Sequence, residues 1–568
     1  MIIKRLSALW AALVLVLAGA PECLADVPRS MVLGELIKVL ELPMEKGKAF
    51  GDVDRDSPYA AALESALSMG ILYPADDFSP EIAATNAETL MFALQAMGFR
   101  HEAEIAAWAL PPEDDQLPGY IRGYVALSKA LTPAAPASVT KTPWENTTPE
   151  QLQEVLRWAS SCHSTVLWDH KIIRPEGTLR IHRENVGRPP SGWRVLLKVF
   201  EEEKDARLFA KQNAKRGKLD VIFVDCGYWV ATPLEKDRRN AVNMLKRFKN
   251  IPEAAIVPAE GVSRALFWTS FTPASLADVK IVTARSLGSN MAKLSKIAAG
   301  AKALAAVNGG FFSGSRPIGT LIIDGLPVVL PYQNRSMAAW NDRAMQFAGG
   351  EFRARVSVGG SPLTPVLINE PVPYGRLGIF TPALGTALTR LGTNGTAYRI
   401  AGGKVADVRP AMGLRGAMAA GEWILVSRDG NFSAQVGDIA KLEYEWREDS
   451  VMAMTNAVQA GPLLFSPGRT FSEEGFGEGI IQYRHPRTLL GWDGKNMVWI
   501  VADGRSSWHS QGLTLSEAAW LGRSLKLKSL LNLDGGGSSE LWWNGRVVNA
   551  VSDARERSLP YGLAAPVK

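Results

Sequence analysis

The sequence predicts a multidomain α+β protein, and three changes of pattern along its 568 residues predict it. Apolar residues recur at helical spacing through residues 28–131. Strand-like and helix-like runs then alternate through 192–258. From Gly261 onward glycine, short apolar runs and turn residues dominate, the pattern of a mostly antiparallel sheet with few helices.

Length and composition bound the answer. A chain this long holds about three to five domains. At 46% hydrophobic and 21% charged it can bury sizeable cores. A mean hydropathy of -0.02 argues against a protein with several membrane spans. Lys4 and Arg5, the apolar run Leu6 to Ala20 and the small residues before Asp26 have the form of a secretory signal over residues 1–25, cleaved after Ala25. No membrane segment is then expected in the mature chain. Cleavage removes Lys4, Arg5 and Glu22 and takes the formal charge from +6 to +5. That modest positive balance suits an anionic surface. It leaves Cys162 and Cys226, which an oxidising compartment could join or leave as two buried thiols. No nucleic-acid module is legible, so no nucleic-acid partner is expected. No cofactor is expected, and no metal, since His163, His170 and His182 lack zinc-ligand spacing.

Within 28–131, helical stripes such as Leu33, Leu36-Ile37 and Leu40 alternate with Gly- and Asp-containing turns. Thr85 and Glu88 have the spacing of a capping box that opens a helix. The order Phe50-Gly51-Asp52-Val53, Met69-Gly70-Ile71-Leu72, Phe78-Ser79-Pro80, Thr85-Asn86-Ala87-Glu88 resembles an S-layer homology repeat, with a second copy around Leu117 to Leu127. The resemblance implies binding of a secondary wall polysaccharide. Asn86 stands where that family has arginine. Residues 132–149, rich in Pro, Ala and Thr, read as a linker.

Residues 150–260 read as one domain that opens with a helix from Pro149 to Trp158. Its later part runs strand Trp193–Phe200, helix Lys204–Arg216, strands Asp220–Asp225 and Tyr228–Thr232, helix Glu235–Phe248 and strand Ala255–Val257. This β-α-β-β-α-β order is the ferredoxin-like split motif. The layout resembles the sporulation-related repeat domain, which implies peptidoglycan as a partner.

Residues 262–566 carry the chemistry. A strand expected at Ala303–Val307 runs into Asn308-Gly309-Gly310, where bare backbone can approach a ligand and offer N–H groups. Gln459 to Leu464 reads as a turn entering a buried strand. Met497–Val501 reads as a buried strand that ends in Asp503-Gly504-Arg505, and alternation places Asp503 and Arg505 on one side. Leu530–Leu533 leads into Asp534-Gly535-Gly536-Gly537-Ser538-Ser539. Three consecutive glycines cost conformational entropy, so this block implies unusual dihedrals or close backbone approach. The helix Leu515–Leu525 is read as capped by Ser516.

Taken in order, Asn308-Gly-Gly-Phe-Phe, Ala460-Gly461-Pro462, Arg487-Thr488, Asp503-Gly504-Arg505, Gly512-Leu513-Thr514-Leu515, Asn532 to Ser539, Val548-Asn549, Ser552-Asp553 and Glu556-Arg557 resemble the phosphodiester glycosidase family. The segment Tyr332–Ser450 fits this pattern less well and reads as containing insertions. The resemblance implies cleavage between a sugar's anomeric carbon and a phosphodiester, with a phosphodiester-linked glycan as substrate. Asp503 and Asp534 are then the candidate catalytic acids. Arg487 and Arg505 are the candidate phosphate ligands. Asn308, Gly309, Gly310, Gly535, Gly536, Ser538 and Ser539 are the remaining candidate substrate contacts. The leading reading is a secreted cell-envelope hydrolase. One alternative is a non-catalytic wall-glycan-binding protein. Another is a phosphodiesterase that cuts on the phosphorus side.

Overall fold

A computed structural model describes residues 26–566 other than 43, 45–49, 69–70, 74, 112–115, 187–192, 201, 225–226, 236–237, 252–253, 259–263, 289, 364–365, 386–393, 413, 415–417, 448–453, 468–473, 507–508 and 554. The signal expected at 1–25 and Cys226 lie outside these residues. Cys162 is a buried free thiol, and burial pushes its pKa up to about 12. The chain is multidomain α+β and forms two compact units.

The first unit is helical. Its helix Asn86–Ala96 is opened by a complete Thr85–Glu88 capping box. Leu90, Ala93 and Leu94 are fully buried there. Asn86 is also fully buried. It donates to the Thr142 carbonyl at 3.0 Å and accepts from Thr147 Oγ1 at 3.1 Å. These bonds show why 132–149 does not behave as a linker. The stretch contains the short helix Ala137–Thr140, buries Val139, and is pinned to the Asn86 helix. Its prolines fix turns rather than a free spacer. The helix Pro149–Thr165 continues this unit, capped by Thr148 and Gln151.

The second unit contains the four-stranded sheet expected at 192–258. Its spatial order is Asp220–Val224, Gly227–Ala231, Trp193–Phe200, Ala255–Pro258, all antiparallel. Val195, Leu197, Ala241 and Phe248 form its core. The span 150–260 is nevertheless not one domain, because its opening helix belongs to the first unit. The hairpin Leu167–Arg174 and Gly177–Val186 also extends a different sheet. In that hairpin His182 stacks on Trp268 at 4.7 Å and Arg180 lies over the same ring. Rings that pack by their faces give no periodic signal in sequence.

Two sheets build the rest of the unit's centre. One has seven strands and runs through the hairpin, Arg264–Pro273, Met497–Ala502, Arg487–Trp492, Ser529–Asn532 and Leu463–Phe465. Every residue of Met497–Ala502 is buried, as expected of a strand covered on both faces. The helix Leu515–Ser524 packs on this sheet through Leu515, Ala518 and Leu521 against Leu489, Ile500 and Leu530. Its N-cap is Thr514, not Ser516. Thr514 has extended backbone and forms a capping box with Glu517.

The other sheet runs Arg546–Val547, Leu541–Trp543, Ala303–Asn308, Tyr561–Pro566, Lys280–Thr283. The helix Leu294–Gly300 covers it through Leu294, Ile297 and Ala298. Residues 321–459 add smaller, mostly antiparallel sheets with their own cores. The two central sheets meet where Thr488 Oγ1 donates to Asn308 Oδ1 at 2.7 Å. Around this contact strands of both sheets end, and the loops that follow them carry the candidate residues.

Candidate active site

The Ser529–Asn532 strand delivers Asp534 to a tight turn. The Leu533 amide donates to the Thr488 carbonyl at 2.8 Å, and a 3-10 turn then forms over Gly536–Ser538. Gly536 has φ +61, a conformation that disfavours side chains, and a Cβ there would lie 2.8 Å from Arg505 Nη2. A Cβ on Gly537 would lie 2.1 Å from Asp553 Oδ2 and 2.2 Å from Arg557 Nη2. The glycine block therefore serves to let two guanidinium groups and one carboxylate close against the turn.

Asp534 is the perturbed acid of this turn. Burial pushes its carboxyl up to about 6, against smaller opposing effects from Ser538, Arg557 and the Gly535 amide. Ser538 is fully buried, and Arg557 Nη1 donates to its Oγ at 3.3 Å. Arg557 Nη2 donates to Asp553 Oδ2 at 2.6 Å. Asp553 Oδ1 lies 3.7 Å from Arg505 Nη1, which also donates to Ser552 Oγ at 3.4 Å. The side chains of Arg505 and Arg557 are 46% and 40% exposed, so both can meet a ligand from solvent.

Arg487 has a different place. It is 2% exposed, and its Nε and Nη2 donate to the carbonyls of Leu513, Ile480 and Tyr483 at 2.6–2.8 Å. Burial lowers its pKa to about 9. These bonds fasten the residues around 480–483 and 513 to the strand. The guanidinium beside Arg505 in the cleft is that of Arg557.

Asp503 also departs from expectation. The strand ends at Ala502, so alternation no longer relates Asp503 to Arg505, which adopts φ +65 and turns outward. Asp503 is 1% exposed. It accepts from Asn549 Nδ2 at 3.0 Å and from the Ala550 amide at 2.8 Å, and His509 Nε2 lies 2.8 Å from its Oδ2. A carboxylate only accepts, so Nε2 carries the proton. Asp503 thus orients His509 and anchors the segment that leads to Asp553. The structure brings it near the turn without exposing it.

The Asn308 block is likewise occupied by the protein. Asn308 Nδ2 donates to the carbonyls of Asp534 and Gly309 at 2.8 and 3.1 Å, while Oδ1 also accepts from the Glu540 amide at 3.1 Å. The Gly310 amide donates to Tyr561 Oη at 2.8 Å. A Cβ on Gly309 would lie 2.3 Å from the Tyr561 ring, so this glycine makes room for the tyrosine. The Gly535 amide donates to Asp534 Oδ1 at 3.0 Å and the Gly536 amide to the Pro486 carbonyl at 2.9 Å. The N–H groups expected to meet phosphate at Gly310, Gly535 and Gly536 thus bind the protein itself. Ser539 is buried, with its carbonyl holding Asn549 at 3.1 Å.

In the sequence Arg557, Asp553 and Asn549 carry no individual role, and His509, like His485, reads more readily as a packing or hydrogen-bonding residue than as a catalyst. Asn549, Asp553 and Arg557 stood in the family pattern, and that was the signal available. Among the described residues no group of three or more His, Cys, Asp or Glu side chains could hold a metal ion. No described helix is long and apolar enough to cross a membrane.

The arrangement defines an α+β domain whose strand-end loops set a half-buried carboxyl on a glycine turn against which two exposed guanidinium groups close. Residues 394–565 match the family model described as phosphodiester glycosidase. The chain is also similar to three solved structures. A Burkholderia pseudomallei protein described as exported shares 19% identity at a TM-score of 0.45, over 71% of this chain and 97% of that one. A hypothetical protein from Synechocystis shares 18% at 0.41, over 71% and 80%. The catalytic domain of zebrafish N-acetylglucosamine-1-phosphodiester alpha-N-acetylglucosaminidase, auto-inhibited by its pro-peptide, shares 14% at 0.32, over 54% and 79%. No curated protein matches.

Proposed function

We propose that this chain is an exported hydrolase that cleaves sugar-1-phosphodiesters of cell-envelope glycans at the anomeric carbon. The observation that carries the reading is the raised Asp534 carboxyl on a glycine turn flanked by Arg505 and Arg557. The chemistry needs these parts. A phosphate leaving group departs without a proton, so the site must hold phosphate charge and stabilise an oxocarbenium-like carbon. Arg505 and Arg557 take the phosphate oxygens. Asp534, ionised above pH about 6, faces the anomeric carbon as nucleophile, base or cation stabiliser. Ser538 bridges Asp534 and Arg557 and fixes their spacing. Asp503, through His509 and Asn549, holds the surrounding loops.

The test is release of free sugar from a sugar-1-(alkyl phosphate) by the full chain, with loss in Asp534→Asn. Labelled water should place its oxygen on the sugar. Label on the phosphate would mean phosphorus-side cleavage. A folded protein that binds such diesters without releasing sugar would be the glycan-binding alternative.

We also propose that the helical unit tethers the enzyme to a wall glycan. A cavity of ≈ 560 Å³ in this unit is lined by Phe92, Tyr73, Tyr120, Arg29 and Glu88 among others. Tyr120 is 67% exposed at it, a stacking surface of the kind a sugar ring uses, while Arg100 lies over the Tyr73 ring at 3.1 Å. Asn86, buried in its bonds to Thr142 and Thr147, is not part of that surface.

A further inference from the structure

The Asp553 carboxylate occupies the space between the two exposed guanidinium groups of the site. Arg557 reaches its Oδ2 with both Nε, at 3.1 Å, and Nη2, at 2.6 Å, while Arg505 Nη1 stands 3.7 Å from Oδ1. The segment that carries Asp553 is fixed close by. Asn549 and the Ala550 amide are bound to Asp503, and Asn549 accepts from the Leu541 amide at 2.8 Å. Gly537 leaves the carboxylate room against the turn. Any phosphate that engages both arginines therefore meets a fixed negative charge at close range. Asp534 is the other carboxyl facing this cleft, from the turn itself.

We propose that Asp553 is a specificity-determining residue that makes this cleft accept a singly charged phosphodiester and disfavour a doubly charged phosphomonoester. The inference rests on the reading of the cleft as a phosphate site. Coulomb repulsion scales with the ligand's charge, so Asp553 opposes a dianion about twice as strongly as a monoanion. The two arginines attract the dianion about twice as strongly as well. At pH 8, however, Asp553 and the ionised Asp534 together balance their two positive charges, so the dianion's larger desolvation cost decides against it. Loss of the Asp553 charge tips the cleft back toward the dianion. Hydrolysis adds water to the anomeric carbon, breaks its bond to the phosphate oxygen, and leaves that oxygen on a phosphomonoester. The product thus gains the charge that Asp553 disfavours, and the same residue promotes its release.

The test uses the full chain at pH 8, where a phosphomonoester is dianionic because its second pKa is about 6. Methyl phosphate and dimethyl phosphate are titrated by phosphorus NMR against the natural protein, Asp553→Asn and Asp553→Ser. The natural protein should prefer dimethyl phosphate. Either variant should bind methyl phosphate about tenfold tighter and dimethyl phosphate only about threefold tighter. Thermal melting establishes that each variant is folded. An unchanged ratio between the two ligands in a folded variant would overturn the proposal. So would a natural protein that prefers methyl phosphate, a reading that needs no variant at all, or no binding of either ligand. Sugar release is a separate readout. Its absence alongside the expected change in ratio would sink the hydrolase reading and leave the charge selection standing.

Discussion

The Asn308 side-chain amide donates to the backbone carbonyl of Asp534 at 2.8 Å, joining loops 226 residues apart. Both loops look like independent ligand cradles in the sequence. In the structure one of them holds the other. With Thr488 and the Glu540 amide also on Asn308, this carboxamide is the knot at which the two central sheets meet.

That knot predicts a stability effect. Asn308→Ala leaves the Thr488 hydroxyl, the Glu540 amide and the Asp534 carbonyl without their partner in a fully buried place. Each unsatisfied buried group costs about 1–3 kcal/mol, so a loss of about 3 kcal/mol or more is expected. Urea unfolding would read it. A change below about 1 kcal/mol would mean that water or relaxation replaces these bonds.

Asp534 should set the pH dependence of both stability and rate. Its folded pKa, about 6, lies above the ordinary value of 3.8, so the native state holds a proton that the unfolded chain has released. Stability attributable to this group is present below pH about 4 and is lost as pH rises to about 6. At pH 7 Asp534→Asn should therefore be more stable than the natural protein, by up to about 3 kcal/mol. Sugar release should rise through an apparent pKa near 6 and vanish in the variant. A variant that is both less stable and still active would contradict the assignment.

The two kinds of arginine should separate cleanly. Arg505→Gln and Arg557→Gln are expected to weaken substrate binding, seen as a raised KM, with little change in melting. Arg487→Met should instead unfold the protein more easily by about 3 kcal/mol, because carbonyls of Leu513, Ile480 and Tyr483 lose a buried donor. Calorimetry beside kinetics distinguishes them.

Helix capping offers a local check. Thr514→Ala should cost about 1 kcal/mol, since the hydroxyl accepts from the Glu517 amide at 3.1 Å. Ser516→Ala leaves the Thr514–Glu517 capping box intact and should cost less than Thr514→Ala.

For the tether, Tyr120→Ala in the full chain should reduce co-sedimentation with purified wall sacculi while leaving sugar release unchanged. Equal sedimentation of variant and natural protein would remove the cavity from the argument.

The fold class was legible because periodicity reports burial. The β-α-β-β-α-β order, the buried strands at 303–308, 497–502 and 529–532, and the helix after Thr514 all carry enough apolar repeats to be read from the chain alone. The hairpin at 167–186 was not legible. Its place in the seven-stranded sheet depends on pairing with Arg264–Pro273, a strand far along the chain that no local pattern announces.

The amino-acid sequence by itself determined which loops would matter, because runs such as Asp534-Gly-Gly-Gly-Ser-Ser are too costly in chain entropy to lack a purpose. Only the tertiary structure decided which side chains face solvent there. Asp503, Arg487 and Asn308 have the chemistry of ligand contacts, yet each is buried and bonded to the protein. Arg557 and Asp553 reach the turn from the end of the chain. A polar residue's partner is whatever lies within about 3 Å, and that distance is set by packing among strands remote in sequence, which composition and spacing do not encode.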